Sequence, residues 1–345
     1  MFLPKVLFPC IKPEREKEAK NMPKSTRYAI LEAIQGEMRR DKLLTLLYEY
    51  QSPSASWGGQ RINLEKEFGR WRARFSAIDE NWIVGGAMGM SMIGVRAIAH
   101  IPSMTTLIPY ELMFNHAGKL RHMTGGQAAF PMVLWADMQG RSPFQAGQHA
   151  DAGLESSYAR LAGLKVVIPS NPYDAKGLMI SAIRDVDPVV FCQYPVPASG
   201  PEVPDDSYAV PIGQAAIRTE GKDITIVGYA PQTVEIAKAV EQLKQRRISA
   251  EFIDPRTLAP LEQVMETIVS SVKKTGRLLT SDDGSYSFCN CAEIIARVAE
   301  AVPGAKFKRL AFPDAPPPGA PEMINYMRVN ATDIAAAAEK MVRVR

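Results

Sequence analysis

Leu164-Lys165-Val166-Val167-Ile168 is an apolar run of strand length, and Val189-Val190-Phe191-Cys192-Gln193 is another. Between them, Tyr173-Asp174-Ala175-Lys176-Gly177-Leu178-Met179-Ile180-Ser181-Ala182-Ile183-Arg184 has the length and composition of a helix. Two strands joined by a helix, with short connections, read as a crossover unit, and a crossover unit makes parallel strands. The same alternation extends upstream. Residues 26–40 repeat apolar side chains at helical spacing (Tyr28, Ile30, Leu31, Ile34, Met38), and residues 43–48, 75–78, 96–101 and 130–136 read as strands. Helices are expected over 64–71, over 107–120 with an interruption at Pro109, and over 154–161. Residues 51–60 read as a turn-rich loop and 137–148 as a long polar one.

Downstream, Pro195, Pro197, Pro201 and Pro204 rule out a central strand and read as a linker. A second alternation follows, with strands at 223–229, 250–253, 277–281 and 306–310. Helices are expected at 233–246, 261–272, 291–302 and 332–342, with a proline-rich crossing at 313–321. The expectation is two doubly wound α/β domains: a flexible extension at 1–24, a first domain at 25–194, a linker at 195–209 and a second domain at 210–345. Met22 is a possible alternative start.

A chain of 345 residues can bury the core of two such domains. The net charge of +4 is small for this length and forms no basic stripe, so nucleic acid is not implied. No run approaches the roughly 18 apolar residues of a membrane span. Residues 1–24 place apolar residues before charges, the reverse of a secretory signal. Cys10, Cys192, Cys289 and Cys291 have neither zinc-ligand spacing nor a disulfide framework, so a reduced, cytoplasmic setting is the simplest reading.

Two residues stand out for chemistry. Glu80 opens an almost uncharged helix, Glu80-Asn81-Trp82-Ile83-Val84-Gly85-Gly86-Ala87-Met88-Gly89, that Asp79 or Ser76 can cap. The three glycines cost about 1 kcal/mol each in a helix interior, which suggests close approach of a ligand or another backbone. Glu80 reads either as a buried functional carboxylate or as an exposed first-turn acid favoured by the helix dipole. His149 ends the long loop after a buried strand, where the ligand crevice of an open parallel sheet lies; the alternative is a solvent-exposed imidazole. Phosphate cradles of the glycine-rich or Walker type are missing. Asp282-Asp283-Gly284 reads as a loop rather than a metal site, and no metal ligand is assigned.

Many ordered stretches resemble one family. They include Glu37-Met38-Arg39-Arg40-Asp41, Thr124-Gly125-Gly126-Gln127, Gly147-Gln148-His149, Gly163-Leu164-Lys165-Val166-Val167, Pro172-Tyr173-Asp174-Ala175-Lys176-Gly177-Leu178 and Lys273-Lys274-Thr275-Gly276-Arg277-Leu278. Together they resemble the beta subunit of the thiamine-diphosphate-dependent decarboxylase component of 2-oxo acid dehydrogenase complexes, including those for pyruvate, branched-chain 2-oxo acids and acetoin. The resemblance implies a transketolase-like pyrimidine-binding domain followed by a transketolase C-terminal-like domain. It also implies an α2β2 heterotetramer whose alpha subunit holds Mg2+ and the diphosphate, with a lipoyl acyltransferase as a further partner.

In that family the carboxylate at the position of Glu80 activates the cofactor through its pyrimidine ring. The histidine at the position of His149 assists proton transfer or acyl transfer. By the same resemblance Glu49, Met104 and Leu107 are candidates for contact with the cofactor. The sequence departs from the pattern at His149-Ala150-Asp151, at His100-Ile101-Pro102-Ser103-Met104-Thr105-Thr106 and at Trp135, departures that suggest a reshaped pocket. Two other readings have the same fold: the pyrimidine-side half of a split transketolase-like carboligase, and a non-catalytic scaffold subunit.

Overall fold

The computed structural model describes residues 22–49, 51–102, 107–138 and 153–343. Its strands are β1 (Thr45–Tyr48), β2 (Ser54–Trp57), β3 (Gln60–Asn63), β4 (Ala73–Phe75), β5 (Ala97–Pro102), β6 (Met132–Asp137), β7 (Lys165–Val167), β8 (Val189–Gln193), β9 (Ala216–Thr219), β10 (Ile224–Gly228), β11 (Ala250–Asp254), β12 (Thr257–Ala259), β13 (Arg277–Ser285) and β14 (Lys306–Phe312). They form two large sheets, with orders β12-β7-β8-β6-β5-β1-β4 and β14-β13-β10-β11-β9, and the hairpin β2-β3.

Both large sheets are parallel except at one edge, where β12 runs against β7 and β9 against β11. β12 comes from the second half of the sequence, so the first sheet is completed by a strand from beyond the linker. The expected loop at 51–60 contains a hairpin strand instead, with Ser54 paired to Asn63 and Trp57 to Gln60. The expected helix at 107–120 is shorter and of π type, Leu112–Ala117, followed by one turn at Leu120–Met123.

Strand alternation explains the layers of the first domain. Leu47, Ala99 and Leu134 face one side, where helix Glu80–Met92 adds Ile83, Val84, Ala87 and Met88. Leu46, Ile98 and Val133 face the other, covered by helices Thr26–Arg40 and Pro172–Arg184. In the second domain, Ile226 and Leu279 pack under helices Thr233–Gln245 and Ala331–Arg343. Val227 and Leu278 pack on the opposite side with Glu262–Thr275 and Asn290–Ala301. Gly163 has a left-handed backbone at φ +88°, and a Cβ there would lie 1.8 Å from the Gly118 carbonyl oxygen, so only glycine fits this crossing.

The segment joining the domains lies along helix Pro172–Arg184. Lys176 donates to the carbonyls of Pro204 and Asp205, and Tyr208 stacks on Tyr173 with ring centres 4.5 Å apart. Met22 to Lys24 are also held: Lys24 is buried against Glu32 (2.9 Å) and Asp205 (2.6 Å), and Trp57 donates to the Met22 carbonyl. The rest of the expected extension, 1–21, lies outside the described residues.

Candidate active site

β1 and β4 are adjacent and parallel, with Tyr48 opposite Phe75. The residues that follow their carboxyl ends therefore arrive at the same edge of the sheet. Glu49 follows β1 directly. Glu80 follows β4 after a short turn and begins helix Glu80–Met92. The turn is fixed by two contacts: Ser76 N–H donates to the Tyr48 carbonyl (2.8 Å), and Asp79 caps the helix by accepting from Trp82 N–H (3.0 Å). Asp79→Ala should cost about 1 kcal/mol of stability through the lost cap, read as a lower urea midpoint with an unchanged slope.

Both acids are withdrawn from solvent: Glu49 is 1% exposed and Glu80 5%. The exposed first-turn reading of Glu80 is therefore excluded by its burial. Both carboxylate oxygens of Glu49 and Oε1 of Glu80 lack a hydrogen-bond partner among the described residues. Burial, and then the neighbouring Glu80 charge, raises the Glu49 pKa to about 7. The Asp79 amide opposes that rise, although it falls short of a well-formed hydrogen bond with Glu49. A buried carboxylate with no donor costs more than one that is paired. Two of them side by side mark a place prepared for a hydrogen-bonding ligand.

The glycines of the helix leave room on its outer side. A Cβ at Gly85 or Gly86 would meet only Leu112 (3.6 Å) or Leu47 (3.4 Å), and one at Gly89 would meet nothing within 4 Å. No close approach among the described residues requires them. Trp82, Met92 and Ile93 are exposed on the same helix and its end.

The other site candidates are distributed differently. His149 and Met104 lie outside the described residues. Leu107 is described and is 46% exposed. His100 and Trp135, expected to reshape the pocket, pair across β5 and β6 and stack at 3.9 Å. Strand alternation puts them on the face of helix Thr26–Arg40, opposite the helix that Glu80 begins. There Trp135 Nε1 donates to Gln193 (2.8 Å), and burial, aided by Arg27, holds the His100 pKa well below its usual value. His100 and Trp135 therefore pack together within the core, while residues 103–106 of the same departing segment lie outside the described residues. Asp282 and Asp283 belong to β13 rather than to a loop. Among the described residues, no group of three or more acidic, histidine or cysteine side chains is arranged to hold a metal.

Comparison with known proteins assigns both halves of the chain. Residues 22–194 match the transketolase pyrimidine-binding domain and residues 213–334 the transketolase C-terminal domain. The chain is 36% identical over 334 residues to the acetoin:2,6-dichlorophenolindophenol oxidoreductase subunit beta of Cupriavidus necator, covering 92% of this chain and 97% of that one. It belongs to the family of 2-oxo acid dehydrogenase E1 beta subunits.

Identity to the pyruvate dehydrogenase E1 component subunit beta of Acholeplasma laidlawii is 37% over 275 residues (79% and 83% of the two chains). Identity to the 2-oxoisovalerate dehydrogenase subunit beta of Bacillus subtilis is 33% over 324 residues (91% and 97%). A solved structure described as a split gene transketolase, inactive beta4 tetramer, superposes with a TM-score of 0.77. It covers 92% of this chain and 98% of its own at 19% identity, a likeness of fold. No described helix of this beta-subunit chain is long and apolar enough to cross a membrane.

The acid corner fits the pyrimidine side of thiamine diphosphate. A neutral aminopyrimidine brings hydrogen-bonding edges that orphaned carboxylate oxygens can meet, whereas a diphosphate would add negative charge beside two acids. The sequence singled out Glu80 through its helix. It singled out Glu49 only through family resemblance, because their proximity depends on the pairing of β1 with β4.

Proposed function

We propose that this chain is the pyrimidine-side, catalytic subunit of a thiamine-diphosphate-dependent 2-oxo acid or acetoin dehydrogenase. It acts only with an alpha subunit, in an α2β2 assembly. The observation that carries the reading is the buried pair Glu49 and Glu80 with unmet carboxylate oxygens. Glu80 would hold the N1′ edge of the aminopyrimidine, and Glu49 would share the same corner. When bound, the cofactor supplies the electron sink for cleavage next to a carbonyl.

The contribution of this chain follows from its own groups. Burial strengthens any hydrogen bond that Glu80 makes, because water does not compete for its oxygens. Glu49, with a pKa of about 7, can carry a proton at neutral pH and so spare the corner a second negative charge. Asp79 fixes the first turn of the helix and thereby the direction in which Glu80 leaves the backbone. His149 is assigned the later proton or acyl transfer, with Leu107 and Met104 beside the ring. Mg2+ and the diphosphate fall to the alpha subunit, and the acyl group passes to a lipoyl or other acceptor. A cytoplasmic location fits the buried thiols Cys192, Cys289 and Cys291.

The dehydrogenase reading is preferred to a transketolase-like carboligase because the relatives at 33–37% identity carry dehydrogenase or acetoin oxidoreductase names. The orphaned acids argue against a scaffold, since a subunit without chemistry gains nothing from their burial cost.

The test is co-expression with an alpha-type chain that carries a diphosphate and Mg2+ motif. The pair should bind thiamine diphosphate with Mg2+ and reduce an artificial acceptor when given pyruvate, a branched-chain 2-oxo acid or acetoin. An assembled pair that does not bind the cofactor would overturn the catalytic assignment. A pair that binds it but acts only on sugar donors would move the chain to the carboligase reading.

A further inference from the structure

Far along the sequence from the Glu49–Glu80 corner, the two domains meet through a second set of buried acids. Glu155 lies in the first turn of helix Leu154–Ala159, in the first domain, and is 1% exposed. Asp282 lies on β13, in the second domain, and is also 1% exposed, with Asp283 next to it. The two domains touch here: a Cβ on Gly153 would lie 2.8 Å from the Gly284 Cα.

The hydrogen bonds of the joint are unequal. Asp282 accepts from Tyr229 O–H (2.6 Å), Gly284 N–H (2.8 Å) and Cys291 N–H (3.4 Å). Asp283 faces Gln232 Nε2 (3.3 Å) and the Arg328 guanidinium (3.4 Å). Glu155 accepts from one side chain, Tyr194 O–H (2.9 Å). Asn290 closes the joint by donating to Ser156 (2.9 Å) and to Tyr229 (3.3 Å). Among the described residues, the guanidinium found at this joint, that of Arg328, lies on Asp283 and not on Glu155. Glu155 is the acid least provided for as an anion.

We propose that Glu155 is the proton-holding clasp of the interdomain joint: as the neutral acid it keeps the joint closed, and as the carboxylate it loosens it. The charged groups that face it among the described residues agree. Asp282 and Asp283 face Glu155 from the second domain, while Tyr194 and Cys192, from β8 and its end, bring no positive charge. Burial, then Asp282, raises the Glu155 pKa to about 8; its own backbone amide, and then Tyr194, only partly offset the rise.

The sign of the effect follows. With an ordinary value of 4.5 in the loosened joint and about 8 in the closed one, closure is fully favoured below pH 4.5. It weakens tenfold per pH unit as pH rises towards about 8, then levels off. Three buried thiols report on the joint. Cys192 feels the Glu155 charge, and Cys289 and Cys291 feel that of Asp282.

The experiment is thiol labelling of the full chain with a disulfide reagent, in a Cys10→Ser background, with each modified cysteine identified by mass spectrometry. Thiolate formation alone raises the rate about tenfold per pH unit below the thiol pKa. Opening of the joint multiplies this by a further tenfold per unit, so the native chain should show about a hundredfold rise per unit between pH 6 and 8, breaking to tenfold above. Glu155→Gln should show the tenfold slope throughout. Asp282→Asn removes the largest charge facing Glu155 and should move the break to lower pH, which provides a second readout if Glu155→Gln folds poorly. A native chain with a single tenfold slope would overturn the proposal, as would a break that persists unchanged in both variants.

Discussion

Glu80→Gln should reduce turnover of the assembled enzyme by about 10³-fold or more while leaving assembly intact. The substitution preserves volume and length, so the packing of a 5%-exposed side chain is maintained. It changes the polarity of the group. The carboxyl group can take up a proton and give it back to a ring nitrogen, and its Oε1 has no partner among the described residues; the amide can donate an N–H to that nitrogen but cannot hold or release a proton. A proton-transfer group contributes about 10²–10⁴ in rate, and the buried, water-poor corner places this one towards the upper part of that range. Thiamine diphosphate titration and size-exclusion chromatography on the variant pair separate lost chemistry from lost binding. Turnover within about tenfold of the native pair, with normal assembly, would remove Glu80 from the mechanism.

The same geometry shows what a sequence can and cannot reveal. The helix that begins at Glu80 was legible because a capping aspartate precedes an uncharged apolar run, and its start is a local property. Helix Thr26–Arg40 and strand β8 were legible for similar reasons, since apolar spacing and run length are written in consecutive residues. β12 was not legible. Thr257–Ala259 lies between Pro255 and Pro260, and its pairing with β7 joins residues about ninety positions apart. The hairpin β2-β3 was hidden by Pro53 and Gly58-Gly59, which mark turns but do not show that strands flank them. Among site residues, the glycines of the Glu80 helix promised a close approach that none of the described residues makes. Glu155 gave no local signal beyond that of a first-turn acid, because its importance lies in acids more than a hundred residues away.

Asp174→Ala should destabilise the chain by about 3–5 kcal/mol, the expected cost of breaking a buried ion pair and leaving its partner uncompensated. Asp174 is held in the first turn of helix Pro172–Arg184, where Asn171 both caps the helix and donates to its Oδ2 (2.7 Å). From that position it reaches two arginines of the second domain, Arg218 through Oδ2 and Arg256 through Oδ1 (3.0 Å). Arg218 has a second carboxylate, Asp254, at 2.7 Å, which also accepts from Ser170. Arg256 has no other carboxylate partner among the described residues; its remaining bonds go to the carbonyls of Gln214 and Ala215. Truncation at Asp174 therefore strands one buried guanidinium and leaves the other to Asp254, whose own charge is opposed by burial. Asp174→Asn keeps the shape and one acceptor, so its loss should be smaller. The ordering Asn milder than Ala, read from urea midpoints of the full chain, distinguishes lost charge compensation from lost packing. A loss below about 0.5 kcal/mol for Asp174→Ala, the size of a surface substitution, would show that the Asp174 ion pairs do not hold the domains together.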